Sequence, residues 1–233
     1  MRNKIYFITF GNEKFYNSLN RIYNEALSFN IFDNIILNTD KDLKNDLEFW
    51  NSHSDFIEQN NRGYGYWIWK PYINLKLIEK INNGDIVIYA DAGCTLNING
   101  KNRLLEYIEL VKKNDILSFE LTHSEKKYTK KDVFDYFNFL NDSNINHLLA
   151  GIIIYKKCDK IYDMFKLWYE TCCKYHLLND NHSISPNYDE FIEHRHDQSI
   201  FSIIRKKFNT YYIKDETYPI GIKENPIWAT RKF

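Results

Sequence analysis

The residue of this sequence best placed to do chemistry is an aspartate at the end of an apolar run. In Asp85-Ile-Val-Ile-Tyr-Ala-Asp91 a strand-like segment reaches a carboxylate, and Ala92 and Gly93 follow it. Small residues there let backbone and carboxylate meet a ligand closely, and a hard divalent cation bridging a diphosphate takes such oxygen ligands. Strands also end in Asp because Asp caps and turns the chain, so spacing alone leaves both readings open. Upstream, Arg62-Gly-Tyr-Gly-Tyr-Trp-Ile-Trp-Lys-Pro71 joins glycines, flat aromatic faces and two cations. Such a block can hold a ring against its aromatics while Arg62 and Lys70 meet a diphosphate. Its Trp and Tyr residues can equally form a core plug under a loop, which makes Arg62 and Lys70 the stronger functional candidates. His194 and His196, beside Arg195 and Asp197, are residues more often found at a surface than ligating.

The elements that must position these residues alternate along the chain. Strand-like runs cover Lys4 to Phe10, Phe32 to Asn38, Asp85 to Asp91, Asp115 to Leu121 and Ile152 to Tyr155. Helical patterns lie between them. Phe15, Leu19, Ile22, Ala26 and Phe29 form one stripe, Lys41 to Asn60 is a polar, helix-compatible stretch, and Leu104, Leu105, Ile108 and Val111 mark Arg103 to Lys113. Pro71 suits the first turn of a helix carrying Ile73, Leu77 and Ile78, which Asn82, Asn83 and Gly84 end. Further helices are expected over Thr129 to Leu140, Asp159 to His176 and Asp197 to Phe208, with a loop over Asn179 to Tyr188. This is the pattern of an α/β layer fold with a mostly parallel central sheet flanked by helices. Ligands of open α/β sheets collect outside the carboxyl ends of the strands, which is where Asp91 stands.

Composition bounds the function. At 233 residues, with no linker and no internal repeat, residues 1–233 read as one domain. The 31 basic and 31 acidic side chains cancel, which removes the electrostatic footprint of a nucleic-acid binder. Cys94, Cys158, Cys172 and Cys173 show no paired metal-ligand spacing and read as free cytosolic thiols. The N-terminal apolar run is too short for a signal segment and reads as a first strand. No segment approaches the roughly eighteen apolar residues of a membrane span, so the expected location is cytoplasmic and any membrane contact peripheral.

Ile88-Tyr-Ala-Asp-Ala-Gly93 resembles the Tyr-x-Asp-x-Asp segment of nucleotide-sugar glycosyltransferases of the GT-A fold, with Asp91 at the first Asp of the DxD motif and Gly93 at the second. Leu149-Ala-Gly-Ile-Ile-Ile-Tyr155 is similar to the Asn-Ala-Gly strand element of glycosyltransferase family 8, and His196-Asp-Gln-Ser-Ile-Phe201 to its Asp-Gln-Asp segment. These, with the Gly63 to Pro71 block and Pro226-Ile-Trp-Ala-Thr-Arg231, resemble a group of small glycosyltransferase-like proteins of bacteria and large DNA viruses over nearly the whole chain. The His-x-x-Gly-x-x-Lys-Pro-Trp segment that closes family 8 is missing from the sequence.

The resemblance implies a GT-A glycosyltransferase moving a sugar from a nucleotide-diphosphate donor, a UDP-sugar, to a glycan or lipid-linked acceptor with retention of configuration. It implies Asp197 and Gln198 as catalytic residues and Asp91 as ligand of Mn²⁺ or Mg²⁺. Thr9, Phe10 and Asp40 would hold the nucleoside, Arg62, Lys70 and Asp91 the diphosphate, and Ala150 and Gly151 the sugar. Arg231, with Lys232, would fold back over the diphosphate in place of the missing segment, and Pro226-Ile-Trp228 would dock it. A general-base role for Asp197 would instead give inversion. A second class is a catalytically silent sugar-nucleotide or glycan-binding protein, motivated by Gly93. A nucleotidylyltransferase is disfavoured because Phe10-Gly-Asn-Glu13 is no Gly-rich, basic phosphate loop.

Overall fold

The computed structural model describes residues 2–139 and 145–232. Nine strands are present among them: β1 Ile5–Gly11, β2 Asn34–Thr39, β3 Ile86–Ala90, β4 Thr95–Leu96, β5 Ile116–Ser124, β6 Asn146–Leu148, β7 Ile152–Lys156, β8 Tyr212–Lys214 and β9 Ile227–Trp228. Seven form the main sheet in the order β2-β1-β3-β7-β5-β6, with β8 beside β5. β1 pairs in parallel with β2 and β3, and β8 with β5, while β7 runs antiparallel to β3 and β5 and β6 antiparallel to β5. Most strands therefore point one way, and β7 and β6 run against them.

Strict alternation along the central strands explains why their sequences are apolar throughout. Tyr6, Ile8 and Phe10 of β1, Val87 and Tyr89 of β3, and Ile153 and Tyr155 of β7 share one core with the helices Leu47–Gln59, Trp69–Lys80, Asp159–Cys172 and His196–Lys207. Phe7, Ile86, Ile88, Ala90, Ile152 and Ile154 face the opposite way, onto the helices Tyr16–Phe29 and Lys101–Asn114. A sheet covered on both faces buries every residue of its inner strands, which selects Ile, Val and aromatics without a polar alternate.

Helix ends follow local chemistry. The Lys41 to Asn60 stretch is two helices, Asp40–Asn45 and Leu47–Gln59, because Thr39 forms a capping box with Asp42 and Asp46 starts the second by accepting the Phe49 N–H. The aromatic helix covers Lys131–Tyr136; Leu140, its expected end, lies outside the described residues. The helix expected over Asp159 to His176 stops at Cys172, and a single turn follows at Tyr175–Leu178. Among the described residues no helix is long and apolar enough to cross a membrane.

The antiparallel run of β7 matters most for the site. Because Ala90 pairs with Ile152, the beginning of β7 lies beside the end of β3, and the Asp91 N–H donates to the Gly151 carbonyl at 2.8 Å. A second, two-stranded sheet, β4 with β9, ties the C-terminal segment to the chain just after Asp91, pairing Thr95 with Trp228 and Leu96 with Ile227.

Candidate active site

Asp91 leaves the end of β3 half-exposed. Tyr89, two residues earlier on the same face, donates its hydroxyl to Asp91 Oδ1 at 2.5 Å. The turn that follows is fixed from behind by Arg21, which donates to the carbonyls of Ala92 and Cys94, both at 2.8 Å. Gly151 approaches from β7 so closely that a Cβ on it would lie 3.0 Å from Asp91 Oδ2. A side chain there would push the Asp91 carboxylate aside.

Lys70, in the first turn of the helix Trp69–Lys80, brings a buried ammonium to the same point. Its Nζ lies 3.1 Å from Asp91 Oδ1 and 3.4 Å from Asp197 Oδ2, and donates to the Ala150 carbonyl at 3.4 Å. Burial disfavours its charge, but Asp197 and Asp91 together outweigh that, and the Lys70 pKa is raised. Asp197 stands in the first turn of the helix His196–Lys207, its backbone carbonyl held by Trp168 Nε1 at 3.0 Å. Burial pushes its carboxyl up to about 7, Asp91 adding to the effect and Lys70 opposing it. Its Oδ2 is buried and accepts no hydrogen bond.

Gln198 is placed differently from expectation. Its Oε1 accepts the Ala150 N–H at 3.0 Å and its Nε2 lies 3.0 Å from His147 Nδ1. Burial holds His147 at about 4, so the ring is neutral at pH 7. It accepts from Gln198 at Nδ1, which leaves the proton on Nε2 facing Glu125 Oε2 at 3.2 Å. With both ends of its amide engaged, Gln198 positions Ala150. Arg205, fully buried two turns further along the helix, donates to the carbonyls of Leu148 and Leu149 at 2.8 and 2.9 Å and supports the same turn from below.

The aromatic block forms an unusual local structure. Gly63, Tyr64, Gly65, Tyr66 and Trp67 all have φ between +52° and +79°, one turn of left-handed helix. A left-handed conformation costs roughly 1–2 kcal/mol for each non-glycine residue, and the two glycines relieve it where a Cβ would strike Trp67 or Ile57. The turn sends Tyr64 toward Phe10, ring centroids 6.0 Å apart, and stacks Tyr66 on His196 at 4.8 Å. Phe10 itself stacks on Trp69 at 3.9 Å. Ile68 and Trp69 are thus core, and Tyr64, Tyr66 and Trp67 pack partly buried against it.

At the end of β1, Thr9 is buried with its hydroxyl unbonded, and Asn12 Oδ1 and the Tyr64 hydroxyl are likewise buried without a hydrogen bond. Asp40, directly after β2, accepts the Tyr16 hydroxyl at 2.8 Å. Burial raises the Tyr64 pKa to about 12, with Asp40 adding to it.

Arg62 lies apart from Lys70. It pairs with Asp180 at 3.1 Å and Glu193 at 3.5 Å, and Asp180 also holds His196 Nε2 at 2.9 Å. Arg62 therefore braces the loop in front of the helix His196–Lys207 and is committed there. His194 is structural too, its Nε2 against the Leu177 carbonyl at 2.8 Å.

The C-terminal segment docks beside Asp91. The Lys232 N–H and the Thr230 hydroxyl both donate to the Gly93 carbonyl, at 2.9 and 2.7 Å, and Ser18 donates to the Lys232 carbonyl at 3.1 Å. A Cβ on Gly93 would lie 3.2 Å from the Arg231 Cα and from the Lys232 carbonyl oxygen.

These donors do not fit a resident Mn²⁺ or Mg²⁺. Such ions take about six oxygens, from one or two carboxylates together with substrate phosphates and waters. Among the described residues no three His, Cys, Asp or Glu side chains are placed to share a metal. Asp91, the expected ligand, is paired with the Lys70 ammonium, which fills the space between the two carboxylates.

No protein-family model matches the sequence, and no curated protein is significantly similar to it. The fold is similar to that of a glycosyltransferase involved in the glycosylation of the major capsid of PBCV-1, at a TM-score of 0.53 and 11% identity, over 97% of this chain and 91% of that one. This is the GT-A fold. It is also similar to the bifunctional glycosyltransferase WbbM, at a TM-score of 0.50 and 11% identity, over 88% of this chain and 38% of that one. In the GT-A sheet of this chain the cluster of Lys70, Asp91, Ala150, Gly151 and Asp197 lies at the carboxyl edge of the strands, where a ligand is expected.

Tyr89, Arg21, Arg205 and His147 support the site and were not singled out from sequence. Only Tyr89 carried a legible signal: on a strand it must share a face with Asp91, two residues on.

Proposed function

We propose that this chain transfers a sugar from a nucleotide-diphosphate donor, a UDP-sugar, to a hydroxyl of a glycan or lipid-linked acceptor. The observation that carries this reading is the buried Lys70 ammonium between Asp91 and Asp197, with Asp197 Oδ2 left without a hydrogen bond. A buried carboxylate oxygen is seldom left without a donor, and a sugar hydroxyl supplies one. The sugar would sit over the Ala150–Gly151 turn, beside the Asp91 carboxylate whose close approach the glycine permits. Thr9, Phe10, Asn12, Asp40 and Tyr64 would receive the nucleoside, the unbonded polar atoms among them meeting its base and ribose. As the bond from the anomeric carbon to phosphate breaks, the diphosphate gains negative charge, and fixed cations facing it lower the barrier.

Retention of configuration is the stereochemistry favoured. Lys70 holds both carboxylates of the cluster, so neither is a free base for the acceptor. The acceptor oxygen would then bond to the anomeric carbon on the face the phosphate leaves, and its proton would pass to the departing phosphate oxygen. The four cysteines are free, which fits a reducing compartment such as the cytoplasm.

Thermal-shift screening of UDP- and GDP-sugars tests the reading, since a ligand that binds only the folded state raises its melting temperature. A shift with UDP-sugars followed by turnover supports it, and no shift with any donor overturns it. Binding without turnover of any donor would make the chain a silent sugar-nucleotide binder. NMR of the anomeric proton in the product decides the stereochemistry, inversion excluding the retaining route.

A further inference from the structure

Resting on the reading above, we propose that donor turnover in this protein needs no divalent cation. The charge of the diphosphate is met instead by Arg231 and Lys232 from the docked C-terminal segment.

The position that would carry a second metal-binding carboxylate is Gly93, and the structure gives a spatial reason for the glycine. The backbone of Arg231 and Lys232 runs across it, so that any side chain would press on the segment at 3.2 Å. Two hydrogen bonds to the Gly93 carbonyl, from Lys232 N–H and Thr230 Oγ1, close the contact, and Thr230 Oγ1 also lies 2.9 Å from Thr95 Oγ1. Upstream, β9 pairs with β4. The segment is therefore built into the site two residues from Asp91. Space that a second carboxylate would take is given to a strand of backbone bearing two cations.

Those cations are available. Arg231 and Lys232 are exposed, and among the described residues neither enters an ion pair. Arg231 is held at φ +53°, a conformation L residues seldom adopt, so the docked segment fixes its backbone in a costly state. On the other side of Asp91, the Lys70 ammonium 3.1 Å from Oδ1 occupies that oxygen and repels a second cation from it. Arginine and lysine recognise phosphate through charge-assisted hydrogen bonds.

The test is binding of UDP and UDP-glucose to the full chain by calorimetry, once in EDTA and once in Mn²⁺. The expected result is an affinity in EDTA within about threefold of that in Mn²⁺. The Arg231→Ala/Lys232→Ala double variant should bind at least about tenfold more weakly at an unchanged melting temperature, since charge-assisted contacts are of that size. Arg231→Lys, which keeps the charge, should recover part of the loss. Binding that appears only with Mn²⁺, or that ignores the double substitution, overturns this inference and leaves the proposed function standing. Absence of binding in both media, for these and every other nucleotide-sugar, overturns both.

Discussion

The Lys70 ammonium lies 3.4 Å from Asp197 Oδ2, an oxygen that is buried and accepts no hydrogen bond. The two residues come from different helices, Trp69–Lys80 and His196–Lys207, which meet over the same face of the sheet. Burying both charges costs several kcal/mol per ion, and the pair is tolerated because Asp91 adds a second counter-charge at the half-exposed rim.

Removing Lys70 should therefore destabilise the protein far more than removing a surface charge. Lys70→Met leaves Asp197 buried without a counter-charge and should cost about 3–5 kcal/mol in urea unfolding. The double variant Lys70→Met/Asp197→Asn should recover much of that loss, since the orphaned charge is gone with its partner. A single variant within about 1 kcal/mol of the parent would show that the pair carries no such coupling.

Asp197→Asn separates function from stability. Turnover should fall by about 100-fold or more, the usual size for loss of one preorganised electrostatic group at a reacting centre. Stability should respond to pH with a definite sign. The Asp197 pKa is raised from 3.8 to about 7 in the fold, so the group's favourable contribution is lost as pH rises through that window. The variant lacks this loss, and its melting temperature should gain on the parent between pH 4 and pH 7. Unchanged turnover would remove Asp197 from the reacting centre.

The sequence disclosed the strands buried on both faces and hid the short ones. β1, β3 and β7 are legible because double burial writes an unbroken apolar run into Ile5 to Phe10, Ile86 to Ala90 and Ile152 to Tyr155. β4, β6, β8 and β9 hold two or three residues each, and their pairing comes from tertiary contact that no local pattern records. Asp91, Lys70 and Asp197, which the structure brings together, were legible as candidates because each sits at an element end, beside glycine, proline or a helix start. The pairing of Arg62 away from them was hidden for the opposite reason. Its partners Asp180 and Glu193 lie in an irregular segment, 179–195, whose position cannot be read from periodicity. The role of Gly93 was hidden most completely, since only the docking of a segment about 140 residues away along the chain explains it.

Four histidines make the fold acid-sensitive. Burial holds His53, His147 and His196 at about 4 and His194 well below its ordinary 6.5. Unfolded, each takes up a proton near 6.5, so the stability they contribute is present above that pH and is lost as pH falls from 6.5 toward 4. Asp197 acts in the opposite direction over much of the same range, but it is one group against four. The melting temperature should drop steadily below pH 6.5, and His53→Gln, far from the cleft between Tyr169 and Tyr175, should flatten the slope. A melting temperature constant from pH 7 to pH 4.5 would contradict the assignment of these rings as neutral.

Gly93→Asp would write a complete Asp-x-Asp into the sequence, and the structure predicts damage in place of gain. The new Cβ would lie 3.2 Å from the Arg231 Cα and the Lys232 carbonyl oxygen, closer than side chains normally pack, and the carboxylate would face that carbonyl as a second acceptor. Either the β3 turn or the C-terminal segment must move. The turn is pinned by Arg21 through two carbonyls and by the antiparallel neighbour β7, whereas the segment is held by a two-residue ladder and by hydrogen bonds to Gly93, Thr95, Thr217 and Ser18. The segment should therefore release. Proteolysis after exposed basic residues depends on how often the local backbone opens, so trypsin should cut at Arg231 several-fold faster in the variant while the remaining fold melts within a few degrees of the parent. Equal cleavage rates in the two proteins would mean that the segment accommodates the carboxylate, and that Gly93 is not what keeps it in place.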